Sequence, residues 1–274
     1  MKNISLGQYY AVDSPIHRID PRIKIILAVL YIVIVFLCSN ILSISLLFLS
    51  AIILVLLAKI PLKMVLRSIK PILFIIIFTA ILNIFWGTGE GAPLFEWGII
   101  KIYKEGLINA FFLIVRIIVL IIGSSVLMTY TTTPIALTDG IERLFSPLKK
   151  IKVPVHDFAM IMTIALRFIP TLMDEADKIM TAQKARGADF TNGSLIKRAK
   201  ALIPILIPLF SSSIRHAIDL ATAMECRCYR GGEGRTRMKI LKCRASDLLA
   251  LGIMVAFGAG VICTGIFLAP YLPF

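Results

Sequence analysis

Residues 23–57 read IKIILAVLYIVIVFLCSNILSISLLFLSAIILVLL, and no charged residue occurs from Ile25 to Leu57. Neither the period of 2 of a half-buried strand nor the polar face of a surface helix interrupts this run, so it has the composition of a segment solvated by lipid. The uncharged pair Ser39-Asn40 divides it into two spans, 23–38 and 41–57. Both lie near the minimum of about 17 residues for crossing a hydrocarbon core of about 30 Å.

Working outward, three further apolar runs at 69–86, 107–128 and 248–268 complete an expected set of five spans. The whole chain agrees: 58% of its 274 residues are hydrophobic and the mean hydropathy is +0.88, against about 45–50% apolar residues in a soluble domain. The opening residues are polar, with Asp13 and Asp20, and have neither the short apolar core nor the small-residue cleavage site of a secretory signal.

The net charge of +14 would suggest nucleic acid in a soluble protein. Here its distribution follows the positive-inside rule instead, and no nucleic-acid partner is expected. Lys2, Arg18, Arg22 and Lys24 precede the first span, and Lys59, Lys63, Arg67 and Lys70 lie between the second and third. Residues 131–246 carry a large excess of Lys and Arg over Asp and Glu, and the six C-terminal residues carry no charge. This alternation places the N-terminus and the large insert in the cytosol and the C-terminus outside. The outer loop between the third and fourth spans, with Gly87, Gly89, Gly91 and Pro93, reads as turn-rich. Arg116 sits inside the fourth span with no acidic partner in any other span, and calls for a polar contact within the bundle.

The insert reads as helical. Thr131-Thr132-Thr133-Pro134 is helix-start chemistry, hydroxyl caps followed by a proline in the first turn. From Val155 to Ala185, Phe158, Ile161, Ala165, Phe168, Leu172, Ala176 and Ile179 recur at spacings of three and four, an apolar stripe on a rod about 45 Å long. Gly187 and the Asn192-Gly193 pair mark a break. A third helix is expected over 195–229, kinked where Pro204 and Pro208 remove backbone donors. Both long helices end in an arginine flanked by small residues: Ala185-Arg186-Gly187 and Cys226-Arg227-Cys228. A guanidinium standing clear of a helix end can make bidentate, charge-assisted hydrogen bonds in a partner's groove.

Catalytic signatures are missing. Gly231-Gly232-Glu233-Gly234-Arg235 lacks phosphate-loop spacing, and His17, His156 and His216 are scattered. Cys226 and Cys228 point to different sides of a helix, and the five cysteines, Cys38, Cys226, Cys228, Cys243 and Cys263, show neither zinc spacing nor a disulfide framework. No cofactor or metal is therefore expected on this chain.

Taken together, Gly7-Gln8-Tyr9, the run from Asp13 to Lys24 (DSPIHRIDPRIK), Ala185-Arg186-Gly187 and Met224-Glu225-Cys226-Arg227-Cys228-Tyr229 resemble the transmembrane T component of energy-coupling factor transporters, the CbiQ-like family of prokaryotic vitamin and metal-ion importers. The cysteines flanking Arg227 depart from that family's commoner small residues. The resemblance implies a non-catalytic scaffold: two cytosolic ABC ATPase subunits, which carry ATP and Mg, hold the arginine-ended tips Ala185, Arg186, Gly187, Cys226, Arg227 and Cys228. A small membrane S component, which binds the substrate, packs on the apolar helix faces, where Met160, Ile164, Phe168 and Leu206 are expected.

The implied fold is an all-α membrane protein with about five transmembrane helices and a cytosolic coupling domain of about three amphipathic helices inserted before the last span. Its domains would be 1–130, 131–246 and 247–274, in the cell membrane. The stretch from Gly232 to Thr236 looks more like the vitamin-serving branch than the dedicated cobalt or nickel one. The competing readings are a permease subunit of a conventional ABC importer, favoured if the chain bound substrate alone, and a membrane-embedded enzyme, favoured by turnover without an ATPase.

Overall fold

The computed structural model describes all residues except 1–8, 39, 87–94, 98–99, 152, 189, 191–193, 232–242 and 269–274. Gly7-Gln8, the glycines of the outer loop, the Asn192-Gly193 break, the 232–236 stretch and the C-terminal tail fall outside the described residues. The chain is an all-α, multi-pass membrane protein of nine α-helices among the described residues, with one short hairpin in which Phe95–Trp97 (β1) pairs antiparallel with Ile100–Ile102 (β2). It divides into two compact units, one of residues 7–140 and 241–274, the other of 1–6 and 141–240.

The first unit is built on α1 (Pro21–Leu37), α2 (Ile41–Ala58), α3 (Leu62–Ile69), α4 (Leu73–Trp86), α5 (Lys104–Ser124) and α9 (Ala245–Leu268). Helix α1 starts where Pro21 occupies the first turn and the Asp20 carboxylate accepts the Arg22 N–H at 3.0 Å. It packs on α5 and α9, and α5 also contacts α2 and α4. The core holds Tyr31, Val35, Leu47, Ala51, Val119 and Val261. Leu56, Phe74, Phe111, Leu248 and Ile253 stay exposed, the pattern of a bundle whose outer solvent is lipid.

Small side chains and backbone groups weld the turn between α1 and α2 to α9. Asn40 donates to the Thr264 and Gly265 carbonyls at 3.3 Å, and the Ser43 and Thr264 hydroxyls meet at 2.9 Å. Arg116 finds its partner here: its Nη2 donates at 2.6 Å to the carbonyl of Cys38, the residue that caps the C-terminus of α1. The intramembrane cation thus meets the negative end of a helix dipole and an unpaired terminal carbonyl together.

At the opposite end, Lys24 is almost fully buried and donates to the Thr131 carbonyl at 2.7 Å and the His17 carbonyl at 3.3 Å. Asp247, equally buried, accepts the Asp20 N–H at 3.3 Å and the Arg244 N–H at 2.8 Å. The N-terminal signature therefore holds together the starts of α1 and α9. Arg18 grips Asp13 through two hydrogen bonds, of 2.8 and 2.5 Å, and holds its carboxyl below the usual range.

The span expected over 69–86 differs in form. Lys70, Pro71 and Ile72 separate α3 from α4, and the two helices are bent by 56°. Pro71 has no N–H to continue the ladder, so the helix breaks there. The 14 residues of α4 measure about 21 Å, short of a bilayer core, and the bent pair α3–α4 has the length and composition of a broken span or a re-entrant loop. A π-helical turn, Ser125–Tyr130, extends α5 and buries Tyr130, whose hydroxyl donates to the Met64 carbonyl of α3 at 2.9 Å and contacts the Ser68 hydroxyl.

The second unit contains α7 (Val155–Ala185) packed on α8 (Leu195–Cys226), preceded by a 3-10 turn, Ser146–Ile151. Helix α6 (Pro134–Leu144) runs across the boundary between the units. Both α7 and α8 are long and apolar enough to cross a membrane by length and composition, as are α2, α5 with its π turn, and α9. Helix α8 starts at Ser194, whose hydroxyl accepts the Lys197 N–H, and continues through Pro204 and Pro208.

Candidate functional site

The two arginine tips share one backbone motif. At the end of α7, Arg186 is the C-cap; Gly187 follows with φ +87°, its N–H donates to the Lys184 carbonyl, and the Ala188 N–H reaches the Gln183 carbonyl, both at 3.0 Å. At the end of α8, Arg227 is the C-cap; Cys228 has φ +56°, its N–H donates to the Glu225 carbonyl at 2.8 Å, and the Tyr229 N–H reaches the Met224 carbonyl at 3.0 Å. Each is a complete Schellman closure with arginine at the cap position. In both, the left-handed residue turns the chain away sharply and leaves the preceding guanidinium on the outside. Ala185, Arg186, Gly187, Cys226, Arg227 and Cys228 are all exposed. Neither arginine side chain has a hydrogen-bond or ion-pair partner among the described residues.

The helix expected over 195–229 ends three residues earlier, at Cys226. The stop was missed because the left-handed position holds Cys228, where a glycine would have announced it. An L-residue in that conformation costs about 1 kcal/mol. Cys228→Gly is therefore expected to tighten this helix end, with amide exchange at Tyr229 slowed roughly fivefold. Unchanged or faster exchange would mean that the cysteine side chain itself holds the turn. A Cβ added at Gly187 would meet nothing within 4 Å, so Gly187→Ala would loosen the first tip for backbone reasons alone.

Behind the tips, α7 and α8 enclose apolar space. A crevice of about 230 Å³ is lined by Ile164, Phe168 and Leu172 from α7 and by His216, Leu220 and Met224 from α8, among others. His216 lies 3.5 Å from Glu175, and its ring centroid is 6.0 Å from that of Phe168. A second, larger hollow of about 670 Å³ runs from Met160 and Arg167 to Arg227 and Arg230. Just past the end of α8, the Tyr229 hydroxyl donates to the Met160 sulfur of α7 at 3.1 Å.

Met160, Ile164 and Phe168 are thus half-buried and line the space between the two helices, whereas Leu206 is exposed. The outward apolar surface is made by Leu206 together with Phe158 and Ile161 on α7, and Ile203, Ile207, Phe210, Ile214 and Ile218 on α8. The α8 set recurs at spacings of three and four, the signal that would have found it. No group of three or more metal-ligating side chains occurs among the described residues.

A family model described as "Cobalt transport protein" (CbiQ) matches residues 13–238. The chain is 53% identical over 262 residues to the energy-coupling factor transporter transmembrane protein EcfT of Ruminiclostridium cellulolyticum, covering 96% of this chain and 97% of that one. It is 52% identical over 250 residues to the protein of that name from Clostridium kluyveri, covering 91% and 92%. With that of Bacillus subtilis the identity is 45% over 259 residues, covering 94% and 97%.

Proposed function

Because the chain belongs to the family of energy-coupling factor transporter transmembrane proteins, we propose that it is the scaffold through which two ABC ATPase subunits drive a separate substrate-binding S component. The observation that carries this reading is the pair of identically built helix ends, each presenting one unpaired, exposed arginine. Two such tips suit two ATPase subunits. ATP and Mg belong to those partners, which perform the hydrolysis, and this chain is non-catalytic.

In this reading α7 and α8 lie at the cytosolic border of the membrane rather than across it. Their apolar stripes are interrupted by exposed charges, Asp174 and Lys178 on α7 and Arg215 and Asp219 on α8. Nucleotide-driven movement of the ATPases pulls on the tips, the rods shift, and the S component resting on their apolar faces reorients to release its vitamin inside. The surface assigned to the S component is centred on Leu206, Ile207 and Phe210. A buried ionised carboxylate without a partner is strongly disfavoured. Ile207→Glu/Phe210→Glu is therefore expected to abolish S-component capture while leaving the ATPases attached, and retention of the S component would move the docking face elsewhere.

Affinity purification from native membranes in mild detergent, with mass spectrometry of the bound chains, tests the proposal as a whole. Two ATPase chains and one or more small membrane proteins are expected. Several different small partners would indicate a module shared among vitamins. Recovery of the chain alone, monodisperse and able to bind substrate, would overturn the scaffold in favour of a permease.

A further inference from the structure

Helix α3 has three faces. At 100° per residue, Met64, Val65 and Ser68 share the side turned to the core, where Val65 is buried and the Tyr130 hydroxyl bonds Met64 and touches Ser68. Leu62 and Leu66 form a second side and are 72% and 64% exposed. Lys63, Arg67 and Lys70 form a third, and all three are exposed. No Asp or Glu occurs between Asp20 and Glu90, so nothing nearby in sequence neutralises this stripe. Lys59 stands apart: it occupies a left-handed position at the end of α2, and the Asp13 carboxylate feels its charge. The 56° bend at Pro71 turns α3 off the axis of α4, whose apolar side chains extend onward from it.

We propose that α3 is an interfacial helix that binds anionic phospholipid of the cytosolic leaflet, with Leu62 and Leu66 in the acyl region and Lys63, Arg67 and Lys70 on headgroup phosphates. The charge argues for this occupant. A leucine pair beside a purely basic stripe, on a helix bent 56° away from α4, matches a negatively charged leaflet in both parts. An acidic protein groove would match only the basic stripe and leave the leucines in water. The assignment does not depend on the arginine tips.

The test uses the full chain. With a photo-crosslinker at Leu66 in native membranes, a phospholipid adduct is expected; a protein adduct there overturns the proposal. In detergent doped with phosphatidylglycerol, native mass spectrometry should show retention of that lipid over phosphatidylcholine, undisturbed by millimolar inorganic phosphate. Lys63→Gln/Arg67→Gln/Lys70→Gln should weaken retention on the order of 100-fold. Lys197→Gln/Arg198→Gln/Lys200→Gln, which removes the same charge from α8, should not. Equal loss in both variants, or none in the first, refutes a specific site. If the first variant fails to fold, Lys63→Arg/Lys70→Arg keeps the charge and must keep the lipid, and raising the salt to 0.5 M must release it from the unaltered chain.

Discussion

Under the proposed scaffold role, Arg186→Glu/Arg227→Glu will separate this chain from the ATPase subunits and abolish transport, while the membrane bundle stays folded. The argument rests on what each guanidinium does and does not touch. Both are exposed, and neither has a hydrogen-bond or ion-pair partner among the described residues, so neither guanidinium holds this chain's own fold together by such a bond. The Schellman closures that shape the tips run entirely through backbone groups, Ala188 to Gln183 and Tyr229 to Met224, and survive a change of side chain. The intramolecular cost is the helix-dipole effect, about 0.3–1 kcal/mol for a charge at an exposed C-terminus, reversed in sign for Glu. Each charge-assisted hydrogen bond lost to a partner is worth about 1.5–3 kcal/mol. Two tips therefore contribute roughly 3–6 kcal/mol, a factor of about 10² to 10⁴ in assembly, before repulsion is added. Either single change should weaken recovery of ATPase chains or uncouple hydrolysis from uptake, and the double change should do both more severely. Co-purification and substrate uptake measure this; normal uptake by the double variant would remove the docking role from these arginines.

Gly123→Ala will prevent the bundle from assembling. A Cβ at Gly123 would stand 2.0 Å from Cε1 and 2.4 Å from Cζ of Tyr31, where real carbon atoms never approach. The ring has nowhere to go: Tyr31 is fully buried at the centre of α1, and its hydroxyl donates to the Val119 carbonyl of α5 at 3.4 Å. Helices in lipid gain their stability from close packing around small residues, and this glycine is what lets α1 approach α5. Overpacking typically costs about 1–3 kcal/mol and more where neither side can yield; here the upper end is expected, seen as loss of the monodisperse peak in detergent. Tyr31→Ala in the same chain should restore it in part. Gly252→Ala and Gly260→Ala, whose added Cβ would meet nothing within 4 Å, should leave the peak unchanged. Equal tolerance at Gly123 would mean that α1 and α5 do not pack in this register.

Much of the architecture was legible because it depends on local composition. A run such as 25–57 has no charge to place in water, so its solvent is decided before any contact forms. The Gly187 stop of α7 is equally local, since a cap needs only its own turn. The arginine tips were readable from their small neighbours. The break inside the third span was written in Pro71, but the apolar run continuing past it masked the separate amphipathic helix before it.

What remained hidden depends on partners distant in the chain. The stop of α8 at Cys226 rests on a left-handed Cys228 that propensity disfavours, and the closure is completed by Tyr229, which also reaches Met160, 69 residues earlier. Arg116 could be seen to need a partner, yet the Cys38 carbonyl that serves lies 78 residues away and has no sequence signature, because every residue has a carbonyl. The stripe on α7 was visible, but not which of its residues α8 would cover, so Met160, Ile164 and Phe168 turn into the crevice between the helices while Phe158 and Ile161 face outward. By itself the sequence determined which segments leave water, where most helices begin and which two ends carry an arginine, since each follows from the free energy of a few adjacent residues. Only the tertiary structure decided which faces are covered, which charges are capped and where Gly123 must stay bare, since those energies exist only once separate helices meet.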